Sequence, residues 1–145
     1  MSSRSKARKR ALDLLFAADV RDVPVIQLVD AEAVRAEDQP DRAASWRYAR
    51  DIIEGIIDNH RRIDEAISAN SQAWSIERMP AVDRAILRIG VWEILYNDEV
   101  PTAVAIDEAV EAAKELSTDD SAKFVHGVLA AIARTGSTAS VPSAS

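Results

Sequence analysis

The chain has 145 residues, 48% of them hydrophobic, with only four Gly and five Pro, so it is long enough to bury a full core and too apolar to be disordered throughout. It has no Cys, which excludes disulfides, thiolate metal sites and thiol catalysis, and its longest wholly apolar run, Val128–Ala133, is too short for a membrane span or a signal-peptide core. The net charge of -6 hides an asymmetry: Arg4, Lys6, Arg8, Lys9 and Arg10 crowd the start of the chain, while all 24 acidic residues follow Leu12.

Seven helical segments are predicted in chain order. The first covers about Ser5–Val20, where Ala7, Ala11, Leu14, Leu15 and Ala18 recur at helical spacing. Lys6, Lys9, Arg10 and Asp13 fall at i, i+3, i+4 and i+7 and share the opposite face. Asp22 and Pro24 break the chain, and Pro24 suits the first turn of a second helix running to about Ala36. Pro40 and Asp41 open a third helix, to about Asn59, carrying Trp46, Ile52, Ile53, Ile56 and Ile57. A fourth follows His60, with Ile63, Ala66 and Ile67 on one side. Residues 70–80 read as a connection in which Trp74 and Ile76 tuck into the core.

Residues 81–97 form the most apolar segment. Its wheel is apolar nearly all round, with Arg84 and Arg88 on the one charged strip, which predicts a helix central to its bundle. Glu93 interrupts an apolar sector of that wheel and is expected to be buried and paired. Pro101 starts a sixth helix, through Leu116, with an inner stripe of Ala103, Ile106, Ala109, Val110 and Ala113 and an acidic outer face. Ser117–Ser121 is rich in residues that cap helix starts. A last helix runs to about Arg134 with Phe124, Val128, Ala131 and Ile132 inward. The fold class is therefore all-α: residues 1–134 are expected to form one helical domain with a basic arm, and 135–145 a disordered tail.

No catalytic constellation is present in the pattern. His60 and His126 sit in unrelated segments without metal-ligand spacing, and the glycines are isolated, so no phosphate-cradling loop occurs. No catalytic residue, metal or cofactor is expected. A basic arm on an acidic body suggests contact with a polyanion; a solvated N-terminus is the plainer reading of the same residues.

Three stretches then resemble one family, NusB. They are Ala7-Arg8-Lys9-Arg10-Ala11-Leu12-Asp13-Leu14-Leu15-Phe16; Pro80-Ala81-Val82-Asp83-Arg84-Ala85-Ile86-Leu87-Arg88, continuing into Trp92-Glu93-Ile94-Leu95 and Val100-Pro101; and Ile106-Asp107-Glu108-Ala109-Val110 followed by Asp120-Ser121-Ala122-Lys123-Phe124-Val125-His126-Gly127-Val128-Leu129. The resemblance implies two small packed helical bundles and a cytoplasmic transcription antitermination factor, not an enzyme. It also implies binding to single-stranded boxA RNA of ribosomal RNA leaders jointly with NusE, a small-subunit ribosomal protein, within the RNA polymerase antitermination complex, and no membrane role.

On that resemblance Arg4, Lys6 and Arg8 match the family's basic RNA contacts, and Lys9 and Arg10 extend the basic run. Ser5 stands where some members keep Arg. Phe16 matches an aromatic that serves either RNA or the core. The partner surface corresponds to Glu77, Asp83, Asp120 and Lys123, with Phe124 serving that surface or the core. His126 replaces the family's usual Asn. A helical adaptor that binds only proteins, its arm being solubilising, is the alternative from a different class.

Overall fold

The computed structural model describes the backbone of residues 2–37, 40–72 and 74–140, and side chains outside 34–42 and 137–140. Seven helices and no strand occur among the described residues: α1 Ser3–Arg21, α2 Val25–Glu37, α3 Pro40–Asp58, α4 His60–Asn70, α5 Ala81–Tyr96, α6 Thr102–Leu116 and α7 Asp119–Ser140. They sort into two compact units, Met1–Asp58 and Asn59–Ser145.

In the first unit α1 lies along α3, and α2 contacts both. The Ser2 hydroxyl caps α1 by accepting the Ser5 N–H at 3.0 Å. Asp22 ends it in a left-handed conformation, φ 55°, and the Val23 N–H returns to the Ala18 carbonyl. An acidic side chain tolerates that conformation better than most, which explains why the break falls before Pro24. Ala7, Ala11, Leu12 and Ala18 of α1 are buried, as are Trp46, Ala49, Ile52, Ile53 and Ile56 of α3.

In the second unit α5 is central, packed on by α4, α6 and α7. Its residues from Ala85 to Glu93 are buried apart from the half-exposed Arg88, and Glu93 is 1% exposed and has a partner. The two arginines of its charged strip hold neighbouring segments. Arg88 meets Asp64 of α4 through two parallel bonds of 2.9 Å, and Arg84 donates to the Ile76 carbonyl at 2.6 Å, pinning the connection before α5. Such forked guanidinium–carboxylate pairs are geometrically specific as well as strong. Gly90 lets α7 approach closely, since a Cβ there would stand 2.8 Å from a methyl of the buried Leu129.

Three expectations change. The inner stripe of α6 is Ala105, Ala109 and Ala113, at i, i+4 and i+8; Ala103 is exposed, and Ile106 and Val110 are half-buried. Small side chains let α6 lie close to α5 and α7 together, and that choice overrides the larger Ile and Val. Trp74 is 36% exposed instead of tucked into the core. Finally, α7 does not stop near Arg134 but continues to Ser140. Gly136 is buried against Leu95, with only 2.6 Å left for a Cβ, so packing carries the helix through a segment whose composition reads as a tail. The rest of that expected tail, 141–145, lies outside the described residues.

Candidate nucleic-acid interface and partner surface

The basic residues of α1 divide between two faces. Lys6 and Lys9 are exposed, and helical spacing sets them on one stripe with Asp13, Phe16 and Val20, all exposed as well. Phe16 is 42% exposed and is not part of the core. Two long cations beside an open aromatic ring are the elements that single-stranded nucleic acid uses, phosphates meeting ammonium groups and a base stacking on the ring.

Arg4, Arg8 and Arg10 turn toward the other helices of the unit. The Arg4 guanidinium lies over the Tyr48 ring of α3, 5.2 Å from its centroid, and that of Arg8 lies 6.0 Å from the same ring. Arg8 is only 9% exposed, so unlike Lys6 and Lys9 it is not an open side chain. Arg10 donates to the Ser45 hydroxyl at 3.0 Å and pairs with Glu32 of α2 at 3.5 Å; it too serves the fold first. Arg4 remains half-exposed. Tyr48 falls in a stretch without family signature, and its contacts with both guanidinium groups identify it. The available signal was that Arg4 and Arg8, at i and i+4, border the apolar stripe and so need a partner on the facing helix.

Desolvation of the Asp13 carboxyl raises its pKa above the ordinary carboxylate value, with the charges of Lys9 and Arg10 opposing the rise. The stripe therefore carries a carboxylate that is reluctant to ionise among its lysines.

In the second unit the expected partner residues separate differently. Glu77, Asp120 and Lys123 are exposed. Thr118 caps α7 by accepting the Ser121 N–H at 3.0 Å, which sets Asp120 and Lys123 in the first turns of that helix. Phe124 is half-buried and meets Trp74 edge to face, so the connection carrying Glu77 lies against α7. Asp83 does not join them: it is 0% exposed, and neither carboxylate oxygen has a hydrogen-bond partner among the described residues. It is therefore not part of the open surface that Glu77, Asp120 and Lys123 share. His126 is exposed.

A groove of about 370 Å³ between α4, α5 and α7 is lined by Arg62, Ala66, Leu95, Tyr96, Ile132 and Gly136 among others. No group of His, Asp or Glu that could hold a metal ion occurs among the described residues, and none of their helices is long and apolar enough to cross a membrane.

Fold and surface together define an all-helical protein with a lysine-bearing face on its first helix and a mixed charged and aromatic face at the start of its last. The chain matches the NusB family over residues 5–134. It is 63% identical over 134 residues to the transcription antitermination protein NusB of Leifsonia xyli subsp. xyli, covering 92% of this chain and 93% of that one. Among solved structures it is similar to T. maritima NusB, with 37% identity, a TM-score of 0.79 and 90% of each chain covered. It is also similar to a chain in a crystal structure of antitermination factors NusB and NusE in complex with double-stranded RNA, with 27% identity, a TM-score of 0.79, and 93% of this chain and 98% of that chain covered. The chain belongs to the NusB family.

Proposed function

We propose that this chain is a non-enzymatic, cytoplasmic transcription antitermination factor that binds single-stranded boxA-type RNA together with NusE and acts within the RNA polymerase antitermination complex. The observation that carries the RNA half is the open stripe of α1, where Lys6, Lys9 and Phe16 are exposed side by side. Family membership and the relatives named for antitermination support the same reading. The RNA contacts are Arg4, Lys6, Lys9 and Phe16, with Arg8 and Arg10 acting from within the fold. NusE binds the second unit at Glu77, Asp120 and Lys123 with Trp74 and Phe124.

The test is the salt dependence of binding to a short single-stranded boxA RNA. Neutralising about three phosphates, through Arg4, Lys6 and Lys9, gives a log–log slope of roughly −2. Replacing Lys6 and Lys9 by Ala brings the slope toward −1 while helicity is unchanged. Binding that is absent or indifferent to salt rejects the RNA reading and leaves the protein-only adaptor.

A further inference from the structure

We propose that Tyr48 is a positioning residue for RNA binding, holding the Arg4 guanidinium ready for a backbone phosphate while the buried Arg8 holds Tyr48. The inference rests on the RNA-binding reading and gives one contact of that interface its physical basis.

The geometry is a short relay between two helices. Arg8 is 9% exposed and its guanidinium lies 6.0 Å from the Tyr48 centroid. On the preceding turn of α1, Arg4 lies over the same ring at 5.2 Å and is half-exposed. Both distances fall in the range in which an arginine is attracted to the negative face of an aromatic ring. The planar fork of a guanidinium suits the paired oxygens of a phosphodiester, and Arg4 presents it half-exposed to solvent.

Ordering matters because arginine is rich in rotamers. A free side chain must be immobilised when it meets phosphate, and the entropy lost then is subtracted from affinity. Held over the Tyr48 ring, Arg4 has lost part of that freedom before RNA arrives. Arg8 needs no exposure for its part. Its guanidinium, withdrawn from water, holds the ring in place for Arg4.

The experiment measures binding of a labelled short single-stranded RNA at low salt to the full chain and its variants, with circular dichroism as a check on folding. Tyr48→Leu keeps an apolar side chain but removes the ring, and should weaken binding about 2- to 5-fold, the scale of an exposed cation–aromatic contact. Tyr48→Phe keeps the ring and should bind as the unaltered chain does. In an Arg4→Ala background, Tyr48→Leu should have almost no further effect, because the side chain it positions is gone.

Loss of the same factor in both backgrounds would make Tyr48 a packing residue only and overturn the proposal, as would unaltered binding by Tyr48→Leu when Arg4→Ala weakens it. If Tyr48→Leu does not fold, Arg4→Lys decides: it keeps the charge but not the flat fork, so it should bind less well than the unaltered chain, and equal binding overturns the proposal. Absence of salt-dependent binding by the unaltered chain is a different failure, that of the RNA reading itself.

Discussion

Trp74 and Phe124 meet edge to face, with ring centroids 5.1 Å apart and planes inclined at 70°. The contact fastens the connection before α5 to the second turn of α7, and it does so at the surface, since Trp74 is 36% exposed. Ser71 adds to it by donating its hydroxyl to the Trp74 carbonyl. An aromatic pair that is ordered and open, flanked by exposed Glu77, Asp120 and Lys123, is what a protein partner can cover and desolvate.

Truncating that pair should therefore separate stability from binding. Trp74→Ala removes an edge-to-face contact worth about 0.5–1.5 kcal/mol, so unfolding by denaturant should shift by about that amount. If Trp74 anchors the partner, the loss in NusE affinity should be larger, about 2 kcal/mol or more, as for buried aromatic anchors in other interfaces. Calorimetric titration and urea unfolding of the same variant give both values. Equal, small losses would place the partner elsewhere.

The two buried carboxylates of α5 should respond in opposite directions. Glu93 is 1% exposed and engaged by a partner, so Glu93→Ala strands a buried group and should cost about 1–3 kcal/mol. Asp83 is fully buried with both oxygens unpaired among the described residues. Its removal takes away a desolvated group that gains no bond in return, offset only by its place in the first turn of the helix, worth about 0.3–1 kcal/mol. Asp83→Ala should leave the melting temperature unchanged or raise it. A drop comparable to that of Glu93→Ala would show that Asp83 is paired in solution.

Much of this architecture is written in local chemistry. Asp22 with Pro24, and Pro80 and Pro101 just ahead of α5 and α6, mark breaks that depend on the backbone of a few residues, and all stand where expected. The central position of α5 follows from an apolar wheel that only a surrounded helix can satisfy. What was not legible depends on neighbours. Ala103–Ile106–Val110 and Ala105–Ala109–Ala113 are both proper helical stripes, and only the joint approach of α5 and α7 selects the second. The end of α7 turns on Gly136 meeting Leu95, residues far apart in sequence. At the candidate site the count of basic residues was visible, but not their division: Arg8 and Arg10 are claimed by Tyr48, Ser45 and Glu32, all from helices whose register the N-terminal sequence does not contain.

Asp13 makes the basic stripe sensitive to pH. Partial desolvation against the helix raises its pKa although the residue lies on the exposed stripe, so between the unfolded and the folded values the native chain holds a proton that the unfolded chain has released. Stability then falls as pH rises through that window, and the loss is complete above it. RNA phosphates beside Lys6 and Lys9 would disfavour the carboxylate further, so RNA affinity should fall in turn as pH rises from the free chain's pKa to the higher one in the complex. Asp13→Asn should flatten both dependences and, at neutral pH and low salt, tighten RNA binding about 2- to 5-fold, the scale of one exposed charge pair. Urea unfolding and RNA titration from acid to neutral pH test this. An unchanged RNA affinity for Asp13→Asn would remove this stripe from the RNA contact.

The last prediction concerns the coupling of the two ligands. The chain apart from its N-terminal arm is acidic, with every Asp and Glu following Leu12, and this charge repels RNA phosphates at long range. A basic partner seated on Glu77 and Asp120 would offset part of that charge and add contacts of its own, so NusE should raise RNA affinity. Binding free energies are state functions, so RNA must then raise NusE affinity by the same factor, with about 5- to 150-fold the usual scale for linked sites. Asp120→Lys reverses one charge in the exposed first turn of α7. It should weaken NusE binding and shrink the gain in RNA affinity, while RNA binding by the chain alone should hold or improve, because a negative charge has been replaced by a positive one. A two-ligand titration of the unaltered chain and Asp120→Lys measures all four affinities. If RNA binds equally well with and without NusE, joint recognition is wrong for this chain; if RNA binding alone drops in Asp120→Lys, the start of α7 touches RNA itself and the assignment of that face to the protein partner fails.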